Sequence, residues 1–258
     1  MIRFLKAAFG ASERVRMTGD AGGTHVEMRI GDSMIMLSGG SQAQPSKPMP
    51  TMIFLYLEAV DTVYAAALQA GATSILPPGP NFGEPHGAGI KDPAGNEWYF
   101  AHWQAVPNAP PAFVPPADAA TLPDVIPMLS YEDGPAAMDW LANAFGFVEV
   151  ARWVNADGRL EHGEMRAGTG RIMLATPTPA YESPKHHREQ SEAARAWSAV
   201  PWVIDGVLVY VDKLDQHYAQ AKQAGATLLS EPEDGDPGRH YRAEDCEGHR
   251  WMFIQHAH

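Results

Sequence analysis

The chain repeats itself, and the repeat limits its fold more than any other feature of the sequence. The segment Thr24–Leu37 (THVEMRIGDSMIML) aligns without gaps to Glu161–Leu174 (EHGEMRAGTGRIML), 137 residues further on. Both read H-x-E-M-R, then Gly, then I-M-L. Upstream, Phe4–Gly10 (FLKAAFG) matches Trp140–Gly146 (WLANAFG). Downstream, Leu57–Thr73 matches Val211–Thr227, now 154 residues apart, and DPAGNEWYF from Asp92 matches DCEGHRWMF from Asp245. Four blocks in one order mark a duplicated chain.

The change of offset from 137 to 154 places an insertion in the second half, at about residues 177–203. Its YESPKHHREQSEAARAW segment predicts a short helix from about Glu189 to Trp197. The stretch 105–123 is rich in Pro and Ala and reads as a semi-rigid linker. It separates a first domain, residues 1–104, from a second, 124–258. In the second half, VIPMLSY reads as a strand. A helix follows from about Pro135 to Phe145, with Pro in its first turn and Gly146 just past its end. FVEVARWV, LEHGEMRA and RIMLAT then read as strands. The pattern restarts with GVLVYVD, a helix from about Leu214 to Ala224, and strands near ATLLS, HYRAED and RWMFIQ. That is βαβββ twice per half.

This order, the A-G-A-T turn, the D-x-x-G hairpin before an aromatic strand and the F-G after the first helix resemble the glyoxalase/bleomycin-resistance/dioxygenase family, or vicinal oxygen chelate superfamily. The resemblance covers nearly the whole chain. It implies an α+β fold of paired βαβββ modules, as in dihydroxybiphenyl dioxygenase, with two such domains in tandem. In that family, paired modules curl into a cup around a small molecule. The first half departs from the pattern, because it begins inside its first helix with nothing matching VIPMLSY. A missing strand leaves an unpaired sheet edge. Either the true start lies upstream, which is the favoured reading, or the linker or a neighbouring chain fills the gap.

Metal-dependent members of the family use His and Glu from four strands. Carried over one by one, those positions fall near Ile126, at Leu37 and Leu174, at Met52 and Gly206, and at Tyr99 and Met252. None is a ligand of that kind, so the usual divalent metal is not expected, and no other cofactor is implied. What remains is the repeated pair His25/Glu27 and His162/Glu164. Spacing i, i+2 on a strand puts both side chains on one face. If that face lines the cup, an imidazole beside a carboxylate can orient a polar ligand or act as general base. An outer, half-solvated face gives the same alternation. His162 and Glu164 are weighted as the catalytic candidates, and His25 and Glu27 as ligand-binding. Trp98 and Trp251, at matching positions on the last strand of each half, are candidates to stack on a flat ligand, although aromatics at such positions are more often core. Trp197 and Trp202 flank the insertion and are candidates to cap a pocket, with the insertion as a lid or as a packing arm between chains. The His186–His187 pair reads as solvated surface.

Composition removes other classes. A net charge of −12 without a basic cluster argues against a nucleic-acid or anionic-membrane partner. No apolar run approaches the ~20 residues a membrane helix needs. Cys246 is the single cysteine, which fits a cytoplasmic setting, and its acidic neighbours disfavour a nucleophile. Three readings stay open: a small-molecule-binding protein without the family's metal, a lyase, isomerase or dioxygenase-type enzyme using His162 and Glu164, and a scaffold whose first half has lost its pocket. A homodimer is compatible with each.

Overall fold

A computed structural model of the protein describes residues 1–18, 22–39, 51–81, 84–102, 125–199, 206–235 and 238–256. These residues divide into two compact units, one up to Pro127 and one from Met128 onward. The predicted linker and Trp202 lie outside the described residues.

In unit 1, α1 (Ile2–Phe9) buries Phe4, Leu5 and Ala8 and stops at Gly10, whose left-handed backbone (φ 63°) lets its N–H close on Leu5 O. An antiparallel meander follows: β1 (Ser12–Thr18), β2 (Thr24–Ile30) and β3 (Ser33–Gly39). Val26, Met28 and Ile30 join the core of α1, with Ile35 and Leu37 packed against it. Alternation then sends His25, Glu27, Met34 and Met36 to the opposite face. The second module runs β4 (Met52–Tyr56), α2 (Val60–Gln69), β5 (Thr73–Asn81), β6 (Glu84–Lys91) and β7 (Glu97–Ala101). Its strands are ordered β5-β6-β7-β4, and the outer edge of β4 pairs antiparallel with residues 125–127.

Unit 2 repeats the scheme. β8 (Val125–Ser130) carries Met128–Ser130 into this unit, where they pair parallel with β11 (Gly170–Ala175). Between them come α3 (Gly134–Phe145), β9 (Val148–Val154) and β10 (Leu160–Ala167), giving the order β8-β11-β10-β9. Asp133 caps α3 by accepting from Ala136 N, and Gly146 ends it in the left-handed region. Among the described residues, β3 of unit 1 has no strand in the place β8 takes beside β11.

The insertion differs from its predicted single helix. It forms α4 (Pro184–Gln190) and α5 (Glu192–Ser198), broken at Ser191, whose backbone is extended and whose side-chain hydroxyl caps α5 by accepting from Ala194 N. A serine that can bond its own downstream amide competes with helix continuation. The pair docks within unit 2. Lys185 N donates to Glu247 O, Arg188 to Glu244 at 2.8 Å, and Arg250 to Ser198 O. His186 and His187 are exposed, in keeping with a solvated surface, and the Nδ1 of His186 also lies 2.7 Å from a Glu132 oxygen. The closing module is β12 (Val207–Val211), α6 (Leu214–Gln223), β13 (Thr227–Leu228), β14 (His240–Glu244) and β15 (Arg250–Gln255), ordered β12-β15-β14-β13. Only two residues of the predicted ATLLS strand pair as β13. Leu229 and Ser230 donate instead to the single carbonyl of Arg242.

A repeated Asp-x-x-Gly-x-x-Trp unit organises the last hairpin of each half. Asp92 accepts from Ala94 N and Asn96 N with one oxygen and from the Trp98 indole with the other. Asp245 does the same with Glu247 N, His249 N and the Trp251 indole, and also accepts from the buried Tyr131 hydroxyl at 2.7 Å. Gly95 and Gly248 hold φ of 97° and 86°, which a Cβ would disfavour. Trp98 and Trp251 are thereby sealed in the core, Trp98 against Phe9 and Trp251 against Phe145 and Phe147. The carboxylate gives each buried indole N–H the partner it needs. Asp245→Ala strands a buried phenol and an indole at once. It should destabilise the protein by about 3 kcal/mol, more than Asp92→Ala, in urea unfolding. Equal or negligible losses would remove this role.

Candidate functional site

On β10, Gly163 faces α3: a Cβ placed there would sit 2.6 Å from Met138 Sδ. Met165 belongs to the same core cluster as Met138 and Leu141. Their neighbours His162 and Glu164 consequently point to the sheet face turned away from α3. His162 Nε2 and Glu164 Oε1 are 2.9 Å apart, and Glu164 Oε2 accepts from Arg171 of β11, also at 2.9 Å. Glu164 and Arg171 are only 6% and 8% exposed, whereas the His162 side chain keeps 25% of its surface. Trp153 of β9, paired with His162 across the strands, lies over the imidazole with ring centres 4.9 Å apart.

Burial opposes ionisation of Glu164, but its contacts with His162 and then Arg171 outweigh it and hold the carboxyl below its ordinary range. The result is a buried carboxylate clamped between a guanidinium and a half-open imidazole. With Nε2 donating to Glu164, the Nδ1 of His162 is left as an acceptor, and it has no hydrogen-bond partner among the described residues. Such an imidazole is oriented and able to take a proton.

The first half does not reproduce this arrangement. His25 and Glu27 share a face, but their closest approach is 3.7 Å, too long for a hydrogen bond, and both are partly exposed. His25 instead contacts Ser38 Oγ at 3.2 Å. Met34 stands where the second half has Arg171, so Glu27 has no arginine at that position to clamp it. Sequence reading had singled out the two His/Glu pairs but not Arg171 or Trp153. The signal was available at positions where the halves diverge beside residues they share. Trp98 and Trp251 are core residues and face no open surface. Trp197 belongs to α5.

The positions that the family resemblance assigns to a divalent metal do not fit one. Ile126 and Leu174 are buried apolar residues, and Leu37, Met52, Gly206 and Met252 offer no oxygen or nitrogen side-chain donor. The Tyr99 hydroxyl donates to Glu97, and burial, then that contact, push the phenol up to about 12. Among the described residues, no group of three His, Cys, Asp or Glu side chains is placed to hold a metal. Burial and the neighbouring Asp245 and Glu247 charges likewise push the Cys246 thiol up to about 12, away from thiolate chemistry. A separate surface cavity of about 350 Å³ lies in unit 1, at the start of α2. It is lined by Glu58, Asp61, His86 and His102, with His86 bonded to Asp61 at 2.6 Å. Asp61 and His86 have counterparts in Asp215 and Arg239, which pair at 2.9 Å. A helix-to-strand tether is thus kept in both halves. No helix among the described residues is long and apolar enough to cross a membrane.

Comparison with known proteins agrees with this architecture. The glyoxalase/bleomycin resistance protein/dioxygenase superfamily matches residues 1–100 and 126–253. Glyoxalase I from Zea mays superposes with a TM-score of 0.72 over 98% of this chain and 86% of its own, at 12% identity, a likeness of fold alone. An uncharacterized protein of Mycobacterium bovis is 29% identical over 134 residues, 52% of this chain and 83% of that protein. TioX from Micromonospora sp. ML1 is 28% identical over 52% of this chain and 95% of its own, with a TM-score of 0.38. Its two family matches and its twice-repeated βαβββ order make this chain a tandem member of the glyoxalase/bleomycin resistance protein/dioxygenase superfamily.

Proposed function

We propose that the protein binds a small planar organic molecule on the unit 2 sheet, on the face turned away from α3, without the divalent metal used by metal-dependent members of its family. One observation carries this reading: a buried Glu164 held by Arg171 and bonded to an imidazole whose other nitrogen has no hydrogen-bond partner among the described residues. A closed structural ion pair needs no such exposed third member. Trp153 supplies a flat apolar surface beside that imidazole, suited to stacking. In this reading His162 recognises a polar group of the ligand, and Arg171 fixes Glu164 and so the imidazole. A cytoplasmic setting accompanies it, since the chain has one cysteine and no disulfide framework.

The same contact favours a second reading, in which His162 moves a proton as the base of a lyase or isomerase, oriented by Glu164. Both readings require the clamp, and they separate by turnover of the bound molecule.

Thermal-shift screening against small aromatic acids, amines and heterocycles should yield stabilising ligands. His162→Ala or Trp153→Ala should weaken them by about tenfold or more, equivalent to ~1.4 kcal/mol. Hits unaffected by either change would sink the assignment. A stoichiometric divalent metal in native protein that His162→Ala removes would sink the metal-free part.

Glu164 also predicts an acid response. Its folded carboxyl titrates below the ordinary value of about 4.3, so its stabilising contribution is complete above that value and is lost as pH falls through the lower folded value. Urea midpoints measured between roughly pH 6 and pH 3 should fall more steeply for the wild type than for Glu164→Gln. Parallel curves would show that the clamp does not favour the ionised form.

A further inference from the structure

The corresponding face of unit 1 carries a different chemistry. Met17, Met34 and Met36 are 49%, 45% and 46% exposed, and Val15 lies beside them. Large apolar side chains grouped in the open are unusual enough to require a reason. Pairing fixes where they stand. Met17 lies directly across from His25, and Met36 directly across from Glu27, which makes Met36 the diagonal neighbour of His25. Met34 follows one step along β3, opposite Arg29. Direct cross-strand pairs have Cβ atoms about 4.5–5.5 Å apart and diagonal ones about 7–8 Å, within reach of long side chains. Methionine is unbranched and flexible, so the sulfurs of Met17 and Met36 can close over the imidazole from both sides. His25 Nε2 lies 3.7 Å from Glu27 and makes no hydrogen bond there, while Nδ1 is held by Ser38.

Two thioethers and an imidazole form a soft donor set. Such sets select Cu(I) over hard divalent ions, which prefer carboxylate oxygen. The second half keeps His162 and, at the place of Met36, Met173, but Trp153 stands at the place of Met17, so the set there lacks one thioether. We propose that the β1–β3 face of unit 1 binds one soft monovalent ion, Cu(I), through the sulfurs of Met17 and Met36 and the imidazole of His25. Met34 is an adjacent exchange donor, and Glu27 balances the charge. The site is independent of the ligand proposed for unit 2.

The test is anaerobic competition for Cu(I) against the chromogenic chelator bicinchoninate, using the full chain with Cys246→Ser so that the only thiol cannot contribute. One equivalent of Cu(I) should move to the protein. The double variant Met17→Leu/Met36→Leu keeps apolar bulk, which such swaps generally tolerate, and should lower the affinity by about 100-fold or more. Circular dichroism and thermal unfolding of that variant establish that the fold is intact. His25→Gln should weaken binding as well, and His162→Ala should leave it unchanged. Failure to withdraw Cu(I) from the chelator overturns the proposal, as does equal withdrawal by the folded double variant. Equally tight retention of Zn(II) through the same three residues overturns the soft-ion assignment.

Discussion

A strand shows its side chains to two faces in turn, and in each half of this chain one face of the first-module sheet must be buried. Helix α1 takes Val26, Met28 and Ile30, while α3 takes Met165, Ile172 and Leu174. Burying each such side chain contributes about 1.5–3 kcal/mol, which pins the register, because a slip by one residue exchanges the two faces. The opposite face is left to whatever chemistry the alternate positions carry. His25/Glu27 and His162/Glu164 are placed there by this constraint, whatever role each pair serves.

Duplication then let the two faces diverge. In unit 2 the neighbours of the shared pair are Arg171 and Trp153, and the carboxylate is clamped and buried, its carboxyl held below the ordinary range. In unit 1 they are Met34 and Met17, and the pair is loose and open. Breaking a buried ion pair by removing one partner costs far more than replacing both with apolar groups, so Glu164 and Arg171 are constrained to change together. No such coupling constrains Glu27.

Much of this was legible in the sequence. The four repeated blocks marked the βαβββ order, complete twice in the second half and without its opening strand in the first, because each block carries its own turn and cap residues. The H-x-E spacing placed both residues on one face. It did not say which face, since an outer strand alternates in the same way. The answer came from Gly163 packed against Met138, a contact between segments far apart in the chain. The Asp-to-indole bonds were missed for a related reason. D-x-x-G reads as a turn, and its link to Trp98 or Trp251 appears only when the hairpin folds back over six residues. From sequence both tryptophans read either as core or as ligand contacts, and the structure buries both. The break between α4 and α5 depends on one serine whose side chain prefers capping to helix continuation.

Crystallographic soaking of a fragment library would test the central claim most directly, because it asks the molecule where it binds. The account predicts fragments on the β9–β11 face of unit 2, stacked by Trp153 and hydrogen-bonded to His162. Fragments gathered instead in the cavity of unit 1 between Asp61, His86 and His102, with the His162 face empty, would contradict it.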